Sequence, residues 1–133
     1  MSDGQYTITL DHERGLVYVI AKGEFNKVLG DELITDARTK AAEQQYNIIC
    51  DVKEVTLSVA FADWFFLPRR LGVYKNAETR NIKAALVVSA GKQEKVFRFF
   101  ETVTSNLGMN IRIFFHEEDA LEWMRGTANG NYG

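Results

Sequence analysis

The chain has 133 residues, 46% of them apolar and 26% charged, with a single Pro and a formal net charge of −2. A chain of this size buries roughly two-thirds of its unfolded surface, so the composition excludes a disordered polypeptide and predicts one domain over 1–133, ordered at about 6–125. No apolar run approaches the ~18 residues that a membrane-spanning helix needs, and the small net charge singles out no strongly charged partner.

Tyr6, Ile8 and Leu10 alternate with polar residues, the pattern of a half-buried strand. The polar turn Asp11-His12-Glu13-Arg14-Gly15 leads to a second strand, Leu16 to Ala21, its expected hairpin partner. Gly23 is read as the break that ends it. From Val28 to Gln45, Leu29, Leu33, Ile34, Ala37 and Ala41 recur at helical spacing, with Asp31, Glu32, Asp36, Arg38 and Lys40 assigned to the polar face. Asn26 is the expected N-cap, because its side chain can accept from a free backbone N–H. Tyr46 to Val52 reads as a strand containing Cys50 and ending near Asp51. A lone cysteine cannot form an internal disulfide, and the first five residues lack the basic start and apolar core of a secretory leader, so the cytoplasm is the expected setting.

The segment 60–71 has helical character, but Phe61, Trp64, Phe65, Phe66 and Leu67 cover more than one face, and Pro68 ends or bends the helix. Ile82 to Val88 is apolar enough for a central strand. In the helix that follows, over 92–107, Val96, Phe99, Phe100, Val103 and Leu107 form the expected core stripe, and Gly108 suits a left-handed C-terminal position. A strand over 110–115 precedes a last helix, 117–124, whose Glu117, Glu118 and Asp119 complement the helix dipole. Gly and Asn dominate 126–133, a composition that favours fraying. The predicted fold is α/β: a single mixed sheet of about five strands with an N-terminal hairpin and about four helices, in the order ββαβαβαβα.

With these elements in place the chain resembles a STAS-type domain, specifically the SpoIIAA-like branch related to anti-sigma-factor antagonists. The residues that carry the resemblance are Gly23, Asp51 and the closing block of 96–107, Gly108, 111–115 and Glu118-Asp119-Ala120-Leu121-Glu122-Trp123. The antagonists place a phosphorylatable Ser beside an Asp and a Gly before the second helix. Here that stretch reads Thr56-Leu57-Ser58-Val59-Ala60-Phe61-Ala62-Asp63, without the Asp-Ser-Ser-Gly motif. The phosphoswitch is therefore not carried over, although Ser58 stays a candidate cap or phosphate acceptor. The resemblance extends to the lipid-binding SEC14 type, which implies that a small apolar ligand suits the fold.

No constellation of residues points to catalysis. His12, His116 and Cys50 are scattered along the chain, and Cys50 sits in an apolar strand where a thiol stays protonated. No spacing suits zinc or another metal, so no cofactor is expected. Ser89-Ala90-Gly91-Lys92 lacks the earlier Gly and the following Ser or Thr of a phosphate loop, which leaves Lys92 as a weak anion candidate. Asp51, at a strand end, is the best-placed carboxylate. The main candidate site is aromatic: Trp64, Phe65 and Phe66 are consecutive, so one helix cannot bury all three on one stripe, and Phe61, Arg69, Arg70 and Tyr74 flank them. The expected function is a non-enzymatic regulatory domain that binds a protein partner or a second copy of itself as a homodimer. The alternative is a binding module for a small apolar or anionic ligand such as a lipid. The basic stretch 69–98 invites nucleic acid, but the chain as a whole is acidic and carries no nucleic-acid motif.

Overall fold

In a computed structural model of the chain, residues 4–57, 82–91, 93–106 and 108–126 are described. They form one five-stranded sheet in the order β1-β2-β3-β4-β5. Strand β1 (Gln5–Asp11) pairs antiparallel with β2 (Leu16–Phe25), and β3 (Asn47–Leu57), β4 (Lys83–Val87) and β5 (Asn110–Phe114) then add in parallel. The mixed α/β architecture with an N-terminal hairpin is as the periodicity predicts. Among the described residues there are three helices, α1 (Lys27–Gln44), α2 (Glu94–Asn106) and α3 (Glu117–Arg125). The helix expected over 60–71 lies outside the described residues.

Local signals set most boundaries. The hairpin turns where the backbone N–H of Arg14 donates to Asp11 Oδ1 at 3.1 Å and Gly15 adopts φ +68°, a left-handed conformation that costs glycine little. Asn26 caps α1 by accepting from the backbone N–H of Leu29 at 2.9 Å. Gly108 takes φ +82° just after α2.

Two strands run longer than the sequence suggests. Gly23 does not end β2; it sits at φ +88° within a strand that continues to Phe25. Likewise β3 passes Val52 and reaches Leu57, so Asp51 lies inside the strand rather than at its end. The cause is an irregularity in the β2–β3 ladder. Ile20 pairs with Asp51 and Lys22 with Glu54, which sets Ala21 alone against Val52 and Lys53. The extra residue is a β-bulge, and it reverses the alternation so that Val52 and Val55 are both buried in the same core cluster.

Helices cover both faces of the sheet. On one, α1 and α2 pack over Val17, Val19, Ala21, Ile48, Cys50 and Ile111. On the other, Ala120 and Trp123 of α3 pack against Leu16, Ile49, Ala85 and Val87. The Trp123 indole lies 5.6 Å from the Phe114 ring, and Lys83 Nζ stands over it at 5.3 Å while donating to its carbonyl oxygen at 3.1 Å.

Helix α2 is turned relative to its expected stripe. Phe97 and Thr104 are its buried residues, whereas Phe99 is 53% exposed and Val96 and Val103 are half-buried; Leu107 lies outside the described residues. Polar side chains hold this orientation. Thr104 Oγ1 donates to the carbonyl of Phe100 at 2.8 Å, and Glu101 Oε2 accepts from the backbone N–H of Ile113 at 2.9 Å. An inward Thr and Glu satisfy backbone groups of the helix and the neighbouring strand, so the helix cannot rotate to bury Phe99 without losing them.

Candidate functional site

The face covered by α1 and α2 is not fully packed. Two adjacent cavities, about 90 and about 60 Å³, lie between these helices and the sheet. They share Leu33, Ile34, Cys50, Leu86 and Phe100 as walls. The larger extends toward Phe25, Val55 and Leu57, and the smaller toward Ala84, Met109 and Ile111. The described walls of the larger one carry no polar side chain besides the Cys50 thiol. Burial pushes that thiol up to about 12, with the neighbouring Asp51 adding to the effect, so it keeps its proton and behaves as a small apolar wall.

The smaller cavity has one ionic wall residue, Arg38. Its placement corrects the sequence reading, which put it on the solvated face of α1. Arg38 is only 8% exposed. Ile34, Ala37, Arg38 and Ala41 follow the i, i+3, i+4, i+7 spacing of one helix face, and Ala37 and Ala41 are buried with it. Burial lowers the Arg38 pKa from its ordinary value, yet a guanidinium stays charged at any physiological pH. Among the described residues, no carboxylate or carbonyl meets Arg38 in a hydrogen bond or ion pair.

Asp51 lies on the opposite face, as strand alternation with Cys50 requires. Its Oδ1 accepts from the backbone N–H of Lys53 at 3.1 Å, and its Oδ2 stands 3.7 Å from Lys53 Nζ. Beside it, Tyr18 donates to Glu117, and burial together with that bond pushes the phenol well above its ordinary value. His12 and Tyr46 form a separate pair, with Nδ1 2.7 Å from the hydroxyl. The structure thus brings none of His12, His116 and Cys50 together in a catalytic arrangement among the described contacts. No group of three or more His, Cys, Asp or Glu among the described residues is placed to hold a metal. No described helix is long and apolar enough to cross a membrane.

The other sequence candidates, Ser58, Phe61, Trp64, Phe65, Phe66, Arg69, Arg70, Tyr74 and Lys92, lie outside the described residues. Two described members of the basic stretch are engaged locally: Lys83 on Trp123, and Arg98, whose Nε donates to Glu94 Oε2 at 2.9 Å.

No protein-family model and no curated protein matches the chain. Among solved structures it is similar to an uncharacterised protein of the DUF3478 family with a SpoIIAA-like fold from Shewanella loihica PV-4. The two share 18% sequence identity and superpose with a TM-score of 0.55, over 93% of this chain and 95% of that one. At that identity the likeness is one of fold, and the fold of this chain is SpoIIAA-like.

Proposed function

We propose that this protein is a non-enzymatic SpoIIAA-like binding module that holds a small apolar ligand between α1, α2 and the sheet. The observation that carries the reading is the pair of adjacent, mostly apolar cavities that share five wall residues. Apolar walls that face open space lack partner atoms and lose their dispersion contacts. A bound apolar molecule would restore them.

The regulatory reading, in which the segment 60–71 binds a protein or a second copy of the chain, is supported by the SpoIIAA-like fold and by the Trp64-Phe65-Phe66 run. The two readings differ in where a ligand is felt. In a methyl-resolved NMR titration with 1-hexanol, the Leu33, Ile34 and Leu86 signals should shift saturably while Ile49 and Val87, on the opposite face, stay in place. Shifts scattered over both faces, or none at all, would sink the ligand reading.

A further inference from the structure

We propose that the outer edge of β1 is a self-association surface. Two copies join β1 to β1 antiparallel about a two-fold axis at Ile8 and extend the sheet across the pair. No β1 residue lines either apolar cavity, so this surface stands apart from the ligand reading.

The sheet has two outer strands, β1 and β5, and they are finished differently. At β5, the Phe114 carbonyl accepts from the backbone N–H of Val88 on the β4 side at 2.8 Å, so Ile113 turns its own backbone outward. The Glu101 carboxylate takes up that outward N–H at 2.9 Å, and Arg112 adds a charge within the strand. An edge guarded by charged side chains resists pairing with another chain. The β1 edge lacks these devices. Gln5 to Leu10 contain neither a charged residue nor a proline, and the β1–β2 register runs without a bulge from Gln5 to Asp11. Among the described residues no strand pairs with the outer side of β1, which leaves a row of ladder positions unfilled.

The residues of β1 suit a second copy of the same strand. Tyr6-Thr7-Ile8-Thr9-Leu10 reads nearly alike in both directions from Ile8. Across a two-fold axis at Ile8, Thr7 meets Thr9 of the second copy, Tyr6 meets Leu10, and Gln5 meets Asp11, so the whole strand pairs. Thr–Thr pairs are favourable cross-strand neighbours, and no like charges stand opposite each other. A one-residue slip would set Thr against Ile and turn the two apolar rows to opposite sides of the sheet. In the Ile8 register, the half-buried row Tyr6, Ile8 and Leu10, which packs against the core under α1, gains cover from the same row of the second copy. Between β1 and α1 an open groove lined by Tyr6, Ile8 and Leu29 also carries both signs of charge, Glu32 and Asp36 with Lys40. A surface of mixed sign can face its own copy across a two-fold axis without net repulsion.

Sedimentation velocity of the intact protein tests this. The wild type should dimerise reversibly between micromolar and submillimolar concentrations. Thr7 and Thr9 are exposed, so charged residues there spare the core and set like charges opposite each other across the seam. The double variants Thr7→Lys/Thr9→Lys and Thr7→Glu/Thr9→Glu should each dimerise at least tenfold more weakly, and an equimolar mixture of the two should recover a dimer. In the wild type, hydrogen exchange of the β1 amides should slow as concentration rises. A wild type that stays monomeric throughout the range overturns the proposal. So does a double variant that dimerises as tightly as the wild type, because the interface then lies elsewhere. A mixture that stays monomeric overturns the Ile8 register, in which Thr7 faces Thr9. Should the variants fail to fold, the exchange data decide: β1 amides indifferent to concentration in a dimerising wild type remove the interface from β1.

Discussion

Replacing Arg38 by Met should make the unliganded protein more stable, even though it removes one of the longest side chains from the core. The effective penalty for burying an ion is several kcal/mol after relaxation, and even a whole buried ion pair can often be replaced by apolar residues of similar volume with no loss or a gain of about 1–4 kcal/mol. At Arg38 there is no ion-pair energy among the described residues to lose in return. The aliphatic stem packs much as a Met side chain would, so the apolar wall that Arg38 forms with Ile34 and Ala37 survives. The residue keeps 8% of its surface exposed, and incomplete burial trims the expected gain to about 1–3 kcal/mol. For a domain of this length that corresponds to a rise in Tm of about 4–11 °C.

Urea unfolding reads this directly, as a higher midpoint with an unchanged slope. Arg38→Lys keeps a buried charge and should show no such gain. Loss of more than about 1 kcal/mol in Arg38→Met at constant slope would refute the reasoning, because it would mean that the guanidinium stabilises the fold as a paired charge does.

The Cys50 thiol, buried and pushed up to about 12, should resist iodoacetamide at pH 8 in the native protein and react promptly in urea; fast native labelling would show that the strand opens. Tyr6, raised to about 12 by burial and by its contacts with Glu32 and Asp36, should ionise late together with Tyr18. The unfolded chain then loses these phenolic protons first, so stability present below pH 10 should be lost as pH rises toward 12, and an ultraviolet titration of Tyr6→Phe should lack part of the late component. Gly30 is a buried residue in the first turn of α1 that lines the larger cavity, so Gly30→Ala should gain up to about 1 kcal/mol from helix propensity and weaken 1-hexanol binding, whereas a loss of stability would mean that the space beside it is closed.

Much of the fold was legible because burial here follows simple periods. Alternation over Tyr6–Leu10 and the apolar run through Ala84–Val87 identify strands, and Asn26, Gly15 and Gly108 mark boundaries by their own conformational preferences. The misreadings occur where a period is interrupted. At the β2–β3 bulge, the doubled Val52-Lys53 shifts the alternation by one residue, which a two-residue period reads as the end of the strand. In α2 the hydrophobic count favours a stripe through Phe99, but the hydrogen bonds of Glu101 and Thr104 make a polar pair part of the buried face. Periodicity measures hydrophobicity and is blind to a polar side chain whose partner is backbone on another element.

The same blindness hid Arg38. Its position in the series Ile34, Ala37, Arg38, Ala41 was a signal available in the sequence, but charge suggested solvent, and only the packing shows the residue buried. Its neighbourhood is where local rules and fold disagree most. Within one stretch of α1, Gly30 stands in the first turn, apolar space opens beside Leu33 and Ile34, and a cation without an ionic partner among the described residues is buried at Arg38. Each feature costs stability, and each has a ready remedy in an ordinary substitution to Ala, a larger aliphatic residue or Met. On the opposite face, Trp123 fills the space beneath Phe114, and Lys83 and Arg112 stack on its indole. Three costly features gathered along α1, all bordering the two adjacent cavities, are departures from consistent packing of the sort that accompanies a functional site, and the proposed apolar ligand accounts for their placement.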